Sequence, residues 1–213
     1  MSENDNTAAN SSQEASEATT EQAASPTQMT EEQLQAVTVG AVAPLVGHIV
    51  IVDYDPEWPR LFEREAERIY AALGDRVKLL EHVGSTSVQG LAAKPRIDIL
   101  LVVADSTDEP SYVPALEAAG YILRIREPDW HEHRMFNGPS TALNLHVFSL
   151  GSSEIERMLL FRNWLRTHPS DRELYERTKR ELASKDWKYT QNYADAKSTV
   201  VEQIIERARG GAD

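Results

Sequence analysis

The sequence predicts an α/β (α+β) domain in which helices cover a mixed β-sheet and a helical segment ends the chain. Two apolar runs of strand length, Leu79–Val83 and Ile97–Val103, flank a turn of glycine and hydroxyl residues. Alternating apolar and polar residues between positions 121 and 150 predict three further strands, joined by turns. From Ser153 onward the apolar residues recur at helical spacing, which predicts the closing helices.

The first 44 residues are predicted to form an acidic disordered tail, and residues 45–213 the folded domain. The tail consists mainly of Ala, Ser, Thr, Glu, Gln and Asn. Such a segment buries too little apolar surface to offset the entropy lost on ordering. The pattern only weakly favours a short helix near Glu31–Val37. The alternative is that the tail has a role of its own, as a solubilising or docking segment.

Charge and cysteine content exclude several classes of protein. The chain of 213 residues has a formal net charge of −12, and its first 47 residues hold seven acids and no Lys or Arg. The rest of the chain holds the other 27 acids and all 22 basic residues. The domain is therefore only mildly acidic, which allows a local basic pocket but argues against a nonspecific nucleic-acid binder. The absence of cysteine excludes disulfides and thiolate zinc sites.

No membrane partner is predicted. No apolar stretch approaches the ~20 residues needed to span a bilayer. The N-terminus lacks the basic start and apolar region of a secretory signal. The predicted location is therefore the cytoplasm.

The elements follow in order along the domain. Residues 48–54 alternate as a strand, and Asp55 followed by Pro56 predicts the start of a helix that Gly74 ends. The apolar face of that helix consists of Trp58, Leu61, Phe62, Ile69 and Leu73. The two central strands are followed by a short helix at 111–119 and by strands at 121–126, 131–137 and 141–150. Three helices are predicted after them: one from 153 to about 168, one that begins with a capping box at Ser170 and Glu173, and a last one at about 189–209.

The turn between the central strands suits phosphate. Glycine lets the main chain approach a ligand closely, and backbone N–H groups and hydroxyls can donate to phosphate oxygens. Asp98, on the next strand, could hold Mg²⁺ against the same phosphates. A buried charge costs several kcal/mol unless it is paired, so Asp98 should face a cation or an open cleft. The alternative is an ordinary loop beside a salt-bridged acid. The predicted phosphate donors of the turn are Gly84, Ser85, Thr86 and Ser87.

Several separated motifs resemble the GrpB (UPF0157) family. They are HVGSTSVQGLAAKPRIDILLVV at 82–103, IVDYDPEWPRLF at 51–62, EPDWHEHRMF at 127–136, LNLHVF at 143–148, LLFRNWLRTHP at 159–169 and YADAKSTVVEQII at 193–205. The resemblance runs from about residue 48 to the end. It implies a nucleotidyltransferase-type fold. Members fused to dephospho-CoA kinase imply a link to nucleotide or coenzyme A metabolism.

The acid pattern departs from the one that this resemblance implies for catalytic members. Those carry Asp-x-Asp on the strand after the turn, but here Asp98 is followed two positions later by Leu100. The third acid is matched by His146. The predicted function is an enzyme of the nucleotidyltransferase superfamily, metal-assisted, acting on a nucleotide or phosphorylated small molecule. The alternative is a non-catalytic module that binds a nucleotide or coenzyme precursor, or an accessory to a kinase such as dephospho-CoA kinase.

Histidines form the second candidate cluster. Asp98, His146 and His82 are the predicted catalytic residues, suited to proton transfer near neutral pH. Asp98, His146, His131 and His133 are the predicted ligands of a divalent metal, either Mg²⁺ or Zn²⁺. His131 and His133 are expected to point the same way because they lie two apart on a predicted strand. The alternative for each histidine is a structural hydrogen-bonding group.

Basic and aromatic residues complete the predicted phosphate or nucleotide site. Arg96 shares a strand face with Asp98, so a simple ion pair between them is the alternative. Tyr193 and Lys197 lie four apart, on one face of the last helix. The sequence predicts neither the substrate nor the oligomeric state. The five candidates are Lys94, Arg96, Arg134, Tyr193 and Lys197.

Overall fold

A computed structural model describes residues 28–211 of the chain. Its five strands are β1 (Leu79–Val83), β2 (Ile97–Val103), β3 (Ile122–Glu127), β4 (His133–Asn137) and β5 (Leu143–Ser149). The α-helices in this range are α1 (Glu31–Val37), α2 (Trp58–Leu73), α3 (Val113–Ala118), α4 (Ser153–Thr167), α5 (Pro169–Ala183), α6 (Thr190–Ala196) and α7 (Ser198–Gly210).

The strands form one mixed sheet in the order β1-β2-β5-β4-β3. β1 is antiparallel to β2, and β2 is parallel to β5. β5, β4 and β3 are antiparallel neighbours. This confirms the predicted mixed sheet, in which the three strands predicted between residues 121 and 150 form an antiparallel meander. The parallel pair at its centre joins the two strands that carry Asp98 and His146.

Each face of the sheet has its own apolar cluster. On one face, Ile97, Ile99 and Leu101 of β2 pack with β5 against α2 and α3. The predicted apolar face of α2 is confirmed, since all five of its residues lie in or against this cluster. On the other face, Leu100 and Val102 pack under α4. Because side chains alternate along a strand, Asp98 belongs to the face of α4.

The C-terminal helices are fixed to the segment after the Gly-Ser turn. Val88 and Leu91 of that segment pack with residues of α4, α5 and α7. α5 begins at Pro169 without a side-chain cap, so the predicted capping box is not formed. The predicted last helix is divided in two, with Lys197 at the junction. Among residues 28–211, no helix has both the length and the apolar content to cross a membrane.

Two predictions about the N-terminal half need correction. Residues 48–54, predicted as a strand, form only an isolated bridge between Val52 and Ala93. Residues 1–27 of the predicted disordered tail lie outside the described residues. The part from residue 28 includes α1, capped by Thr30, with Leu34 buried. Thr38 bridges to Ile125 of β3. Disorder is therefore wrong for this part, because contact with the sheet offsets its polar composition.

Candidate functional site

The Gly-Ser turn lies directly on Asp98. Val83, the last residue of β1, pairs with Asp98 across the sheet. Gly84 then adopts φ +68°, and a β-carbon there would lie 2.4 Å from Oδ2 of Asp98. Ser85–Ser87 form a 3₁₀ turn. Ser85 is half-buried, and its side chain makes no hydrogen bond within residues 28–211. The turn and the acid therefore share one place, as predicted.

Two hydroxyls of the turn hold its shape. Oγ of Ser87 donates to the carbonyl of Gly84 at 2.6 Å. Oγ1 of Thr86 lies 3.0 Å from Nε2 of His82, and Thr86 is buried. From α4, Arg166 donates to the carbonyl of Ser87 at 2.9 Å. Of the predicted phosphate donors, Thr86 and Ser87 thus have partners inside the protein.

An amide stands between Asp98 and Arg96. Nδ2 of Asn144 donates to Oδ1 of Asp98 at 2.8 Å, and Arg96 donates to Oδ1 of Asn144 at 3.2 Å. A direct ion pair between Arg96 and Asp98 is not formed. The Asp98 side chain is 28% exposed. Burial raises the pKa of its carboxyl, but the nearby His146, the hydrogen bond from Asn144 and the charge of Lys94 together lower it by more, so the net pKa is lowered.

A chain of polar side chains leads from Asp98 across the sheet. Nε2 of His146 lies 3.7 Å from Oδ1 of Asp98. Nδ1 of His146 lies 3.0 Å from Nε2 of His133, whose Nδ1 lies 2.7 Å from Oε2 of Glu127. The His133 ring meets that of His146 edge to edge, nearly parallel to it, and stacks on Phe148. Burial lowers the pKa of His133 to about 4, despite the contact with Glu127. His133 is therefore neutral near pH 7.

Two predicted members of the histidine cluster lie elsewhere. β4 begins only at His133, and His131 lies in the preceding turn with φ 52° and an exposed side chain. The prediction that His131 and His133 point the same way is wrong, because a turn interrupts the alternation. His82 belongs to the opposite face of the sheet, where its ring stacks on Phe62 at 5.0 Å. Burial lowers the pKa of His82 to about 4.

Arg134 does not join the predicted phosphate site. Its Nε donates to Oε1 of Glu109 at 2.6 Å, and Nη1 donates to the carbonyl of Glu132. It is buried on β4, and alternation puts it on the face opposite to His133. The contacts of Arg134 are therefore those of a buried structural ion pair.

Two lysines, Lys94 and Lys197, share one tyrosine ring. Nζ of Lys197 lies 4.8 Å from the centroid of Tyr193, and Nζ of Lys94 lies 6.0 Å from it. Burial lowers the pKa of Lys94 to about 8, and the charge of Lys197 lowers it too, whereas Asp98 acts in the opposite direction. Tyr193 is buried beneath them. The structure thus groups Lys94, Tyr193 and Lys197, and the charges of Lys94 and Asp98 act on each other.

A third lysine was missed by sequence reasoning. Lys179 of α5 is 2% exposed, and its Nζ donates to the carbonyl of Ala92. Burial lowers its pKa to about 7, and the charge of Lys197 lowers it further. A signal existed, because Asp171, Tyr175 and Lys179 recur every four residues and all face inward.

The donors near Asp98 do not fit a centre of two magnesium ions. Such a centre needs two or three carboxylates, whereas Asp98 is accompanied here by Leu100 on its own strand and by His146 of β5. Within residues 28–211, no three His, Asp or Glu side chains are grouped so that they could hold a metal ion. Of the four predicted ligands, His146 lies next to both Asp98 and His133, and His131 is separate from them in the turn before β4.

Comparison with known proteins adds the family. A family model described as GrpB protein matches residues 48–207. The chain belongs to the GrpB family. It is 60% identical to the UPF0157 protein BH1888 of Halalkalibacterium halodurans over 182 residues, which cover 85% of this chain and 93% of that relative. Every residue of the Asp98 site lies within the range that the GrpB model matches.

A solved GrpB structure and one kinase are also similar to this chain. The crystal structure of conserved protein GrpB from Enterococcus faecalis superimposes with a TM-score of 0.67 at 30% identity, covering 76% of this chain and 98% of that one. The dephospho-CoA kinase of Mycolicibacterium paratuberculosis is 29% identical over 189 residues, which cover 76% of this chain and 46% of the kinase. The GrpB region therefore corresponds to about half of that kinase.

Proposed function

We propose that this GrpB domain is an enzyme of nucleotidyltransferase type that acts on a nucleotide or another phosphorylated small molecule at Asp98. One observation carries the proposal. The ammonium groups of Lys94 and Lys197 lie over one tyrosine ring, and burial together with repulsion from Lys197 lowers the pKa of both Lys94 and Lys179, whereas the charge of Asp98 opposes both shifts. A phosphate would relieve that repulsion, which favours an anionic ligand.

The residues around Asp98 divide the work of binding. Gly84 has no side chain, so it leaves the turn backbone open to close approach. Ser85 contributes a hydroxyl without an internal partner among the described residues. Lys94 and Lys197 supply positive charge for phosphate oxygens. Arg96 orients Asn144, which in turn fixes the carboxylate of Asp98.

The reaction proposed is transfer at phosphorus with a hydroxyl or water as the attacking group. The binding site neutralises the charge of the phosphate, and charge stabilisation of this kind is the main contribution in phosphoryl transfer. Asp98 lies on the side of His146, so these two residues face the attacking group. The turn and the lysines face the transferred or leaving phosphate.

A non-catalytic binding module is the second candidate. Leu100 in place of the second acid supports it, because a nucleotidyl transfer centre normally needs that carboxylate. The similarity to part of a dephospho-CoA kinase suggests a coenzyme precursor as ligand or a role beside such a kinase. This candidate predicts binding without any product.

Calorimetric titration of the whole chain with ATP, GTP, dephospho-CoA and coenzyme A tests the proposal, each with and without Mg²⁺ or Zn²⁺. At least one probe should bind, and Lys197→Gln should weaken that binding roughly tenfold or more. Lys188→Gln is the matched control, because Lys188 also lies over a tyrosine ring, at 5.1 Å from that of Tyr189, but is exposed. It should leave binding unchanged.

Two outcomes would overturn the binding proposal: no probe binds, or the two lysine variants weaken binding equally. Phosphorus NMR of each protein and probe mixture then separates the two candidate functions. New phosphorus signals that Asp98→Asn abolishes indicate an enzyme. Binding without any new signal indicates the module.

A further inference from the structure

Four side chains cross the sheet in a single line of contacts. Glu127 at the end of β3 pairs in register with His133 of β4. His133 reaches diagonally to His146 of β5, and His146 reaches diagonally to Asp98 of β2. The three contacts measure 2.7, 3.0 and 3.7 Å from the β3 end to the β2 end. The line therefore ends in a carboxylate at each side, with two imidazoles between them.

The number of protons shared by these four side chains decides in which direction their hydrogen bonds run. A carboxylate only accepts hydrogen bonds, and a neutral imidazole has one N–H and one lone pair. Two neutral imidazoles that also hydrogen-bond to each other can therefore donate to one of the two carboxylates but not to both, and without that bond two lone pairs would face each other at 3.0 Å. The contact of 2.7 Å between His133 and Glu127 is a normal hydrogen-bond distance, whereas 3.7 Å between His146 and Asp98 is too long for one.

The donated proton consequently lies at the Glu127 end. His133 carries its proton on Nδ1 and donates to Glu127, so its Nε2 is a lone pair. That lone pair accepts from Nδ1–H of His146 at 3.0 Å. The reversed arrangement would place the lone pair of His133 against the carboxylate of Glu127 at 2.7 Å, which is repulsive. Nε2 of His146 is therefore left without a proton, facing Asp98.

We propose that Glu127 and His133 are positioning residues that fix the proton of His146 on Nδ1, so that its bare Nε2 accepts the proton of the attacking hydroxyl or water. This inference rests on the proposed function of the site. In the step, the O–H bond breaks and its proton goes to Nε2. The electron pair of that bond forms the new O–P bond. The P–O bond to the leaving group breaks, and the leaving group keeps its electron pair.

The same proton count explains why Asp98 stands at the end of the line. When His146 has taken a proton, its two N–H groups can donate to His133 and to Asp98, so every member of the line has a partner. The imidazolium is then adjacent to a carboxylate, which stabilises its charge. The line thus has one vacant proton position, and that position lies beside the turn and the lysines.

Nitrogen-15 NMR of the ligand-free chain with labelled histidine tests the inference, because ring nitrogens with and without a proton give well-separated signals. We expect His146 to carry its proton on Nδ1. Glu127→Gln should end the dominance of that form, because the amide of Gln can also donate to His133. Glu132→Gln is the control. Its carboxylate lies in the same hairpin but contacts Ser149 at 3.1 Å, and the variant should keep the Nδ1 form.

A wild-type His146 protonated on Nε2 would overturn the inference, as would a Glu127→Gln variant with an unchanged His146 signal. The wild-type spectrum alone decides if the variant fails to fold. Because these spectra need no ligand, they do not depend on the calorimetric test of the proposed function. For a probe that turns over, Glu127→Gln should lower the rate roughly tenfold and leave the dissociation constant unchanged.

Discussion

Gly84 and Asp98 are packed so closely that no side chain fits between them. A β-carbon on Gly84 would lie 2.4 Å from Oδ2 of Asp98 and 3.0 Å from its Cβ. The contact exists because β1 and β2 are antiparallel neighbours and the chain turns at Gly84 immediately after their last pair. The carboxylate and the turn are therefore one structural unit, and a change in either is expected to move the other.

The substitution Gly84→Ala tests this unit. It imposes a positive φ on alanine and also forces the methyl group against Asp98. Gly90→Ala is the matched control, because Gly90 has φ +78° with nothing within 4 Å of its hypothetical β-carbon. Urea denaturation should show a loss of about 1 kcal/mol for Gly90→Ala and clearly more for Gly84→Ala. Equal losses would show that the contact with Asp98 has no energetic weight.

His82 makes the protein sensitive to acid. Its folded-state pKa of about 4 lies below the ordinary value of 6.5, so the unfolded chain binds the proton more readily. Stability should therefore fall as the pH falls from about 6.5 towards 4, by roughly 3 kcal/mol for a shift of this size. His133 adds a similar loss. The variant His82→Gln, which keeps a partner for Thr86, should lose about half of this slope in urea denaturation at several pH values. An unchanged slope would contradict the claim that His82 is a source of the acid sensitivity.

Lys179 is expected to make the stability of the protein depend on pH between neutral and alkaline values. Its folded-state pKa of about 7 lies below the ordinary value of 10.5, so between these values the unfolded chain again binds more protons. The contribution of Lys179 to stability should therefore rise with pH through this window and should be least favourable below it. Lys179→Met removes the buried charge and should flatten this dependence. The measurement is the denaturation midpoint from neutral to alkaline pH, and a dependence that Lys179→Met leaves intact would count against a buried lysine.

Tyr121 is expected to support a buried carboxylate far from the candidate site. Glu65 is 1% exposed and accepts hydrogen bonds from the hydroxyls of Tyr121 at 2.6 Å and Thr141 at 2.7 Å. Tyr121→Phe should destabilise the protein by about 1–3 kcal/mol, because it leaves a buried charge short of a donor. Tyr70→Phe, at an exposed position of α2, should change the stability little. Similar thermal midpoints for the two variants would contradict this prediction.

The sheet was predictable because its strands carry clear local patterns. Ile97–Val103 and the alternation around His146 correspond closely to β2 and β5. Residues 48–54 alternate too, but they lie where only one bridge can form. The helical period continues through Lys197, and only the three-dimensional structure reveals the break there. Periodicity reports which face is apolar, but it does not report whether a partner strand or a straight helix axis exists.

The candidate site was predictable only where two strands bring residues together. Asp98 and the turn are close in sequence, and His146 follows from the parallel pairing of β2 with β5. His131 was misplaced because alternation cannot reveal two consecutive residues at positive φ. Arg134 was misplaced because its partner, Glu109, is 25 residues away. Long-range ion pairs of this kind leave no local pattern in a sequence.

The contact of the N-terminal segment with β3 has a practical consequence for expression. β3 is the last strand of the sheet, and Thr38 and Val39 provide backbone partners for its outer edge. A chain trimmed to the residues of the family match would uncover this edge beside the exposed Ile122. Uncovered edges recruit strands from other molecules. Chains that start at residue 48 should therefore self-associate on concentration, whereas chains that keep Thr38 and Val39 should not.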